Sequence, residues 1–326
     1  MPRNLLAIVI NTFTEVLRQP VYGVVIGISL LLLMFSPSLA MFTIDDDNQL
    51  LKDVALSTLL LAGLFLAVFA AATVVSEEIE NKTVLTVLSK TVSRSSFILG
   101  KFLGIAGAIL LAQYFLAIVV LIVVRHGVLQ TARDSHDPVV MVLSSSAATV
   151  IFIVTMAGNY FYQWRFSSTF VLISSVLATV VLGVMLFVDP EWHFNPESNH
   201  IATELIGPIF LTMLAVLILT AIATALATRF NLVTTLTICM VFFMLGVVLQ
   251  YWLGPVANGP PGWAAALSWV ALAIVPNLNF YIVTDLIYAG NSVPLAYVGM
   301  TALYAAFYVA AVLMFAIVLF RTREVG

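Results

Sequence analysis

The sequence predicts an all-α polytopic transmembrane helix bundle of about eight spans, and three observations carry that prediction. Of the 326 residues, 62% are hydrophobic and only 9% are charged, and the mean hydropathy of +1.11 lies outside the range of soluble domains. The apolar residues fall in long runs of about 20, enough at 1.5 Å per residue to cross a hydrocarbon core of about 30 Å. The basic residues are distributed unevenly among the loops, which gives the chain an orientation. The whole of 1–326 reads as a single membrane domain.

Residues 4–19 place Leu5, Leu6, Val9, Phe13, Val16 and Leu17 on one side of a helix, with Asn11, Glu15 and Arg18 on the other and Arg3 just before it. That pattern suits an interfacial helix in contact with membrane lipid. Pro20 fits the first turn of a new helix. Ser38-Leu39-Ala40 imitates a leader cleavage site, but the stretch before the apolar run is too long and too amphipathic for a secretory signal. Spans are expected over 21–42, 54–75, 102–124, 139–162, 169–188, 208–228, 232–252 and 295–320. Residues 208–252 as one helix would run about 70 Å, so the chain must turn near Arg229. Trp164 and Arg165 mark a similar turn at 163–168. Residues 254–291 are apolar but broken by Pro255, Gly259, Pro260, Pro261, Gly262 and Pro276. This segment is expected to be external or re-entrant, with short helices at 264–275 and 280–288, covered by protein or water where its backbone is irregular.

With the N-terminus inside, Arg3, Arg18, Lys82, Lys90, Arg94, Lys101, Arg165, Arg229, Arg321 and Arg323 face inward, and only Lys52, Arg125 and Arg133 of the 13 basic residues face outward. The positive-inside rule therefore places both termini in the cytoplasm of a multi-pass protein. The acids Asp45, Asp46, Asp47, Asp53, Asp134, Asp137, Asp189, Glu191, Glu197, Glu204 and Asp285 fall on the outer side, with Trp252 and Trp263 near that interface.

The longest charged interruption is the loop 76–101. Glu77, Glu78 and Glu80 stand at the start of a helical pattern, where the helix dipole favours acids, and Glu78 is placed to pair with Lys82. Val84, Leu85, Leu88 and Val92 recur at helical spacing, an apolar ridge of about two turns that is too short to span and needs a membrane surface or a partner groove. Lys90, Arg94 and Lys101 follow, and Ser93, Ser95 or Ser96 can cap the next helix.

Other features bound the chemistry. The single cysteine, Cys239, cannot form an intrachain disulfide. His126, His136, His193 and His200 are expected in external loops, without the spacing of a compact metal motif. No G-x-x-x-x-G-K-[ST] loop is present, since Gly100-Lys101 lacks both the leading glycine and the following Ser or Thr. No ionisable residue falls near the middle of a predicted span, where it would mark an ion relay. Gly100, Gly104 and Gly107, with Ala106 and Ala108, permit close helix packing, expected within one chain. Ser144, Ser145, Ser146, Thr149, Asn159, Thr234, Thr235, Thr237, Gln113 and Gln250 offer polar groups within the spans.

EIENKTVLTVLSKTVSRSSFILGKFLG, beginning at Glu78-Ile79-Glu80, resembles the segment between the second and third membrane helices of type-2 ATP-binding-cassette (ABC) exporter permeases. There a Glu, a Thr, a basic residue, Pro-Val-Ser-Arg, and then Phe and Gly-Lys occur in this order. Pro276-Asn277 with Phe280, and Phe320-Arg321-Thr322-Arg323-Glu324-Val325 after the last span, resemble that family's C-terminal signature, and 4–19 resembles its elbow helix. The resemblance implies a permease subunit of an ATP-driven exporter in a cytoplasmic membrane, with a cytoplasmic coupling helix that docks a separate ABC ATPase. Glu77, Glu78, Glu80, Lys82, Thr83, Lys90 and Arg94 are the contacts it implies. ATP and Mg would be held by that partner chain, and a second permease subunit, identical or related, would complete the transporter. No nucleic acid and no catalytic residue or metal on this chain is implied. Thr91 stands where the family usually has proline, and eight spans exceed its usual six, which implies an added hairpin between 139 and 252. Two other readings are a membrane-embedded enzyme, which lacks an H-E-x-x-H motif or an ionisable pair on one span, and a non-transporting scaffold or anchor subunit.

Overall fold

The computed structural model describes residues 2–40, 47–80, 93–128, 136–195, 202–288 and 292–321. These residues form an all-α bundle in which eight helices are long and apolar enough to cross a membrane. The described residues hold no β-sheet, only an isolated bridge between Val188 and Phe194. The chain is a multi-pass membrane protein by the length and composition of these helices.

Helix α1 (Pro2–Arg18) is followed after one residue by α2 (Pro20–Ala40). Helix α3 runs over Asp47–Ala71, passes through a π turn at Ala72–Ser76 and continues over Glu77–Glu80. Next come α4 (Arg94–His126), α5 (Pro138–Tyr162), α6 (Phe166–Met185), α7 (Ile206–Ala227) and α8 (Leu232–Ala257). A short helix α9 (Trp263–Ile274), a single 3-10 turn at Leu278–Tyr281 and a further short helix α10 (Thr284–Tyr288) precede the last long helix, α11 (Leu295–Arg321).

Local chemistry sets several starts. Asp137 accepts from the amides of Val139 (2.9 Å) and Val140 (3.1 Å), with Pro138 in the first turn of α5. Ser93 accepts from Ser96 N at 3.1 Å to open α4, and Asn231 accepts from Thr234 N at 3.1 Å to open α8. Thr228 to Asn231 make the turn that the length argument requires, and Gln163, in the left-handed region at φ 54°, makes the turn before α6.

The two helices that flank the charged loop are longer than predicted. The helix expected over 54–75 begins at Asp47 and carries on past Ser76, so Glu77, Glu78 and Glu80 extend α3 instead of starting a helix of their own. The reason is tertiary: the Ser76 hydroxyl donates to the carbonyls of Ala227 (3.0 Å) and Phe230, which holds the helix on the α7–α8 turn where its apolar run ends. Likewise α4 begins at Arg94 instead of 102, so the interruption between spans is shorter than 76–101. Lys82, Thr83, Val84, Leu85, Leu88, Lys90 and Val92 lie outside the described residues, and with them the expected Glu78–Lys82 pair and the two-turn ridge.

Helices α3 and α7 are the most buried spans, whereas α5, α8 and α11 leave most of their surface uncovered. The core runs between α2, α3, α4, α7 and α11. Helix α5 packs mainly on α6, so the pair forms a hairpin on the flank of the bundle. Close approach comes from small residues: a Cβ on Gly100 would lie 2.7 Å from Ile8, one on Gly104 2.5 Å from Thr12, and one on Gly107 3.4 Å from Phe13. The glycine stripe of α4 is therefore the groove that receives α1. Tyr22 donates to Ala108 O at 2.7 Å and fixes the start of α2 just beyond that groove. On α1, Leu6 (58% exposed) and Ile10 (56%) face away from the bundle, whereas Val16 and Leu17 are buried in it, so the predicted apolar side is divided between the two.

The segment after α8 folds as a helical hairpin that starts and ends at the same end of the bundle. Its turn reaches deep: the Tyr308 hydroxyl, at the midpoint of α11, donates to Ile274 O at 2.7 Å, and Asn277 N donates to the Tyr304 hydroxyl at 3.0 Å. Asn279 donates to Val247 O at 2.6 Å, Tyr281 to Thr301 O at 3.0 Å and Tyr297 to Phe280 O at 2.7 Å. These side chains satisfy backbone groups that a non-helical stretch leaves open. The helix predicted over 280–288 is broken: Asn277 caps only one 3-10 turn, and Ile282 is extended before α10 begins.

Candidate functional site

Among the described residues, Glu77, Glu78, Arg94 and Lys101 of the 76–101 region gather at one end of the bundle, the Arg94 end, where the start of α4, the end of α3, α1, the α7–α8 turn and the end of α11 meet. Lys101 is only 2% exposed. Its Nζ lies 2.8 Å from Glu78 Oε1 on α3 and 3.5 Å from Glu15 Oε2 on α1, and 5.7 Å from the centre of the Phe97 ring. An ammonium this enclosed is tolerated only when paired, and the two carboxylates supply the pairing. Burial raises the pKa of the Glu15 carboxyl above its ordinary value; the attraction of Lys101 opposes that shift, and repulsion from Glu78 and Glu77 adds to it.

A second cluster stands beside it. Arg94 donates to Arg321 O at 2.8 Å and Phe320 O at 3.5 Å, and its guanidinium lies 6.0 Å from the Phe320 ring centre. Phe320 stacks on Phe97 at 5.6 Å. Arg229 donates to Leu319 O at 2.6 Å. Two guanidiniums thus bind carbonyls of the last turn of α11, at the negative end of its dipole.

Of the residues singled out from the sequence, Glu15 and Glu78 are brought together by Lys101. Arg94 stays exposed while it caps α11, and Glu77 and Arg18 are exposed. Arg3 lies in the first turn of α1, and Glu80 ends the described part of α3. Sequence reasoning counted Lys101 and Arg229 among the inward-facing charges, took Lys101 into the family resemblance and used Arg229 to mark a turn, but missed that each binds a different helix. The available signal for Lys101 was its place within the Gly100–Gly104 packing stripe, where a long side chain has no room to reach solvent.

The opposite end holds a second polar group. Arg125 donates to Met185 O and, at 2.8 Å, to Val188 O, and lies 3.4 Å from Asp137. Lys52 pairs with Glu204 at 3.0 Å. Asn48, Lys52, Arg125 and Glu204 line a cavity of about 350 Å³. His126 Nε2 and His136 Nδ1 are 3.0 Å apart, and His193 lies near Asp189 and Glu191; His200 is outside the described residues. Among the polar groups within spans, Ser145, Ser146, Thr149 and Thr237 donate back to carbonyls of their own helices, whereas Gln113 donates across to Leu59 O at 2.9 Å.

Comparison of the chain with protein-family models and with curated proteins finds no match.

Proposed function

We propose that this chain is the permease subunit of an ATP-driven ABC exporter of the type-2 class, set in a cytoplasmic membrane with the Arg94 end and both termini inside. The observation that carries the reading is the anchoring of the loop that resembles the family's ATPase-docking element. Its two flanks are tied to different parts of the bundle, one through Glu78 and Lys101 to α1 and the other through Arg94 to α11. A push on residues 81–92 therefore reaches the first and last helices of the chain. Support also comes from the peripheral α5–α6 pair: without it, six spans remain in the order that the family resemblance implies, with the α9–α10 hairpin re-entrant before the last one. The sequence carries no phosphate loop, so ATP and Mg belong to a separate ATPase that docks on 77–94, and a second permease subunit, identical or related, completes the pore.

The test is capture of the tagged chain from its native membrane, followed by reconstitution with the ATPase found. The expected result is a stoichiometric ATPase whose turnover changes when Lys82 and Lys90 are reversed to Glu. Capture without any nucleotide-hydrolysing chain overturns the proposal and leaves the scaffold reading.

A further inference from the structure

We propose that Lys101 is a positioning residue that yokes α1 to the end of α3, so that movement of the segment after Glu80 is passed to the N-terminal helix through Glu78, Lys101 and Glu15. The inference rests on the docking role proposed for 77–94 and adds the path by which α1 follows it. Three observations lead to it. Lys101 is enclosed, and its two acceptors come from two different helices, at 2.8 Å on α3 and 3.5 Å on α1. Gly100 and Gly104 beside it bring α1 into backbone contact with α4, with Thr12 completely buried against Gly104. The π turn Ala72–Ser76 ends one residue before Glu77, and Ser76 is held on the α7–α8 turn, so Glu78 lies just beyond an anchored point where the helical register already departs from α. A cation shared between two carboxylates keeps its attraction through small displacements, which apolar packing against a glycine groove does not.

The experiment uses the full chain in lipid nanodiscs, with buried Cys239 replaced by Ala and Thr12→Cys as the reporter, and follows maleimide labelling. Labelling is slow in the parent. Lys101→Met raises the rate about tenfold or more by freeing α1, and Lys101→Arg, which keeps a cation for both acceptors, restores slow labelling. A Lys101→Met rate equal to the parent overturns the yoke. If that variant fails to assemble, Lys101→Gln replaces it under the same criteria. In the second arm the captured ATPase is present: Mg-ATP alters labelling at position 12 in the parent and in Lys101→Arg, but not in Lys101→Met, while the amount of bound ATPase is unchanged. A response that persists in Lys101→Met also overturns the yoke. If the parent captures no ATPase, the docking reading fails and with it the transmission step, while the first arm still decides whether Lys101 links the two helices.

Discussion

At the scale of single residues, the Arg94 end is governed by how charges are enclosed. Glu15 illustrates the sign of the effect. Its pKa is raised by burial above the ordinary 4.5, so the folded chain binds this proton more tightly than the unfolded chain does. The penalty for burying the carboxylate is absent below pH 4.5 and complete above the raised value, and the docking of α1 weakens as pH rises through that window. Glu15→Gln, which has no carboxylate to bury, is therefore expected to shrink the pH dependence of α1 protection. Hydrogen exchange of the α1 amides, corrected for intrinsic rates, measures this; an unchanged pH dependence would sink the assignment. Glu78 was legible in the sequence as a charge of the loop, and Glu15 as one on the polar side of the interfacial helix. Their common partner was not, because sequence distance says nothing about which of several nearby lysines a carboxylate meets. Lys101 lies 23 residues beyond Glu78 and 86 beyond Glu15 along the chain.

At the scale of elements, the α9–α10 hairpin depends on a close approach that only glycine permits. A Cβ on Gly246 of α8 would lie 2.8 Å from both Pro276 O and Leu278 Cγ. Gly246→Val is expected to force the hairpin turn away from α8 at a cost of about 1–3 kcal/mol. Tyr308→Phe removes the donor to Ile274 O and is expected to cost a similar amount, about 1–3 kcal/mol, if that carbonyl is left unsatisfied. Thermal unfolding in detergent reads both as lowered midpoints, with Gly27→Ala as the control, since nothing lies within 4 Å of a Cβ there. A midpoint unchanged by Gly246→Val would remove the close-packing account. Helix positions were largely readable from apolar runs and from the start signals at Pro20 and Ser93, which open helices as their chemistry suggests. The continuation of α3 past Ser76 and the break at Ile282 were not readable. One depends on a hydroxyl reaching carbonyls more than 150 residues away and the other on bonds between the hairpin and α11, from Tyr281 to Thr301 O and from Tyr297 to Phe280 O.

At the scale of the whole molecule, the two ends of the bundle are separated by their charge. Single cysteines placed at Phe194 or Trp263, both highly exposed and at the end opposite Arg94, are expected to react with a membrane-impermeant maleimide on intact cells, whereas one at Glu77 is expected to react only after the membrane is opened. The reverse pattern would invert the orientation and withdraw the docking role of 77–94. The sequence by itself determined the class of the molecule, the eight apolar spans, the turns at Arg229 and Trp164 and the distribution of charge, because hydrophobic length and loop basicity are local properties that a bilayer reads directly. Only the tertiary structure decided that α5 and α6 form a side hairpin, that α1 lies in the glycine groove of α4, and that Lys101 and Arg94 fasten the two flanks of the charged loop to different helices. Those outcomes depend on which helix faces meet, and among helices that are all apolar the hydropathy pattern does not distinguish one neighbour from another.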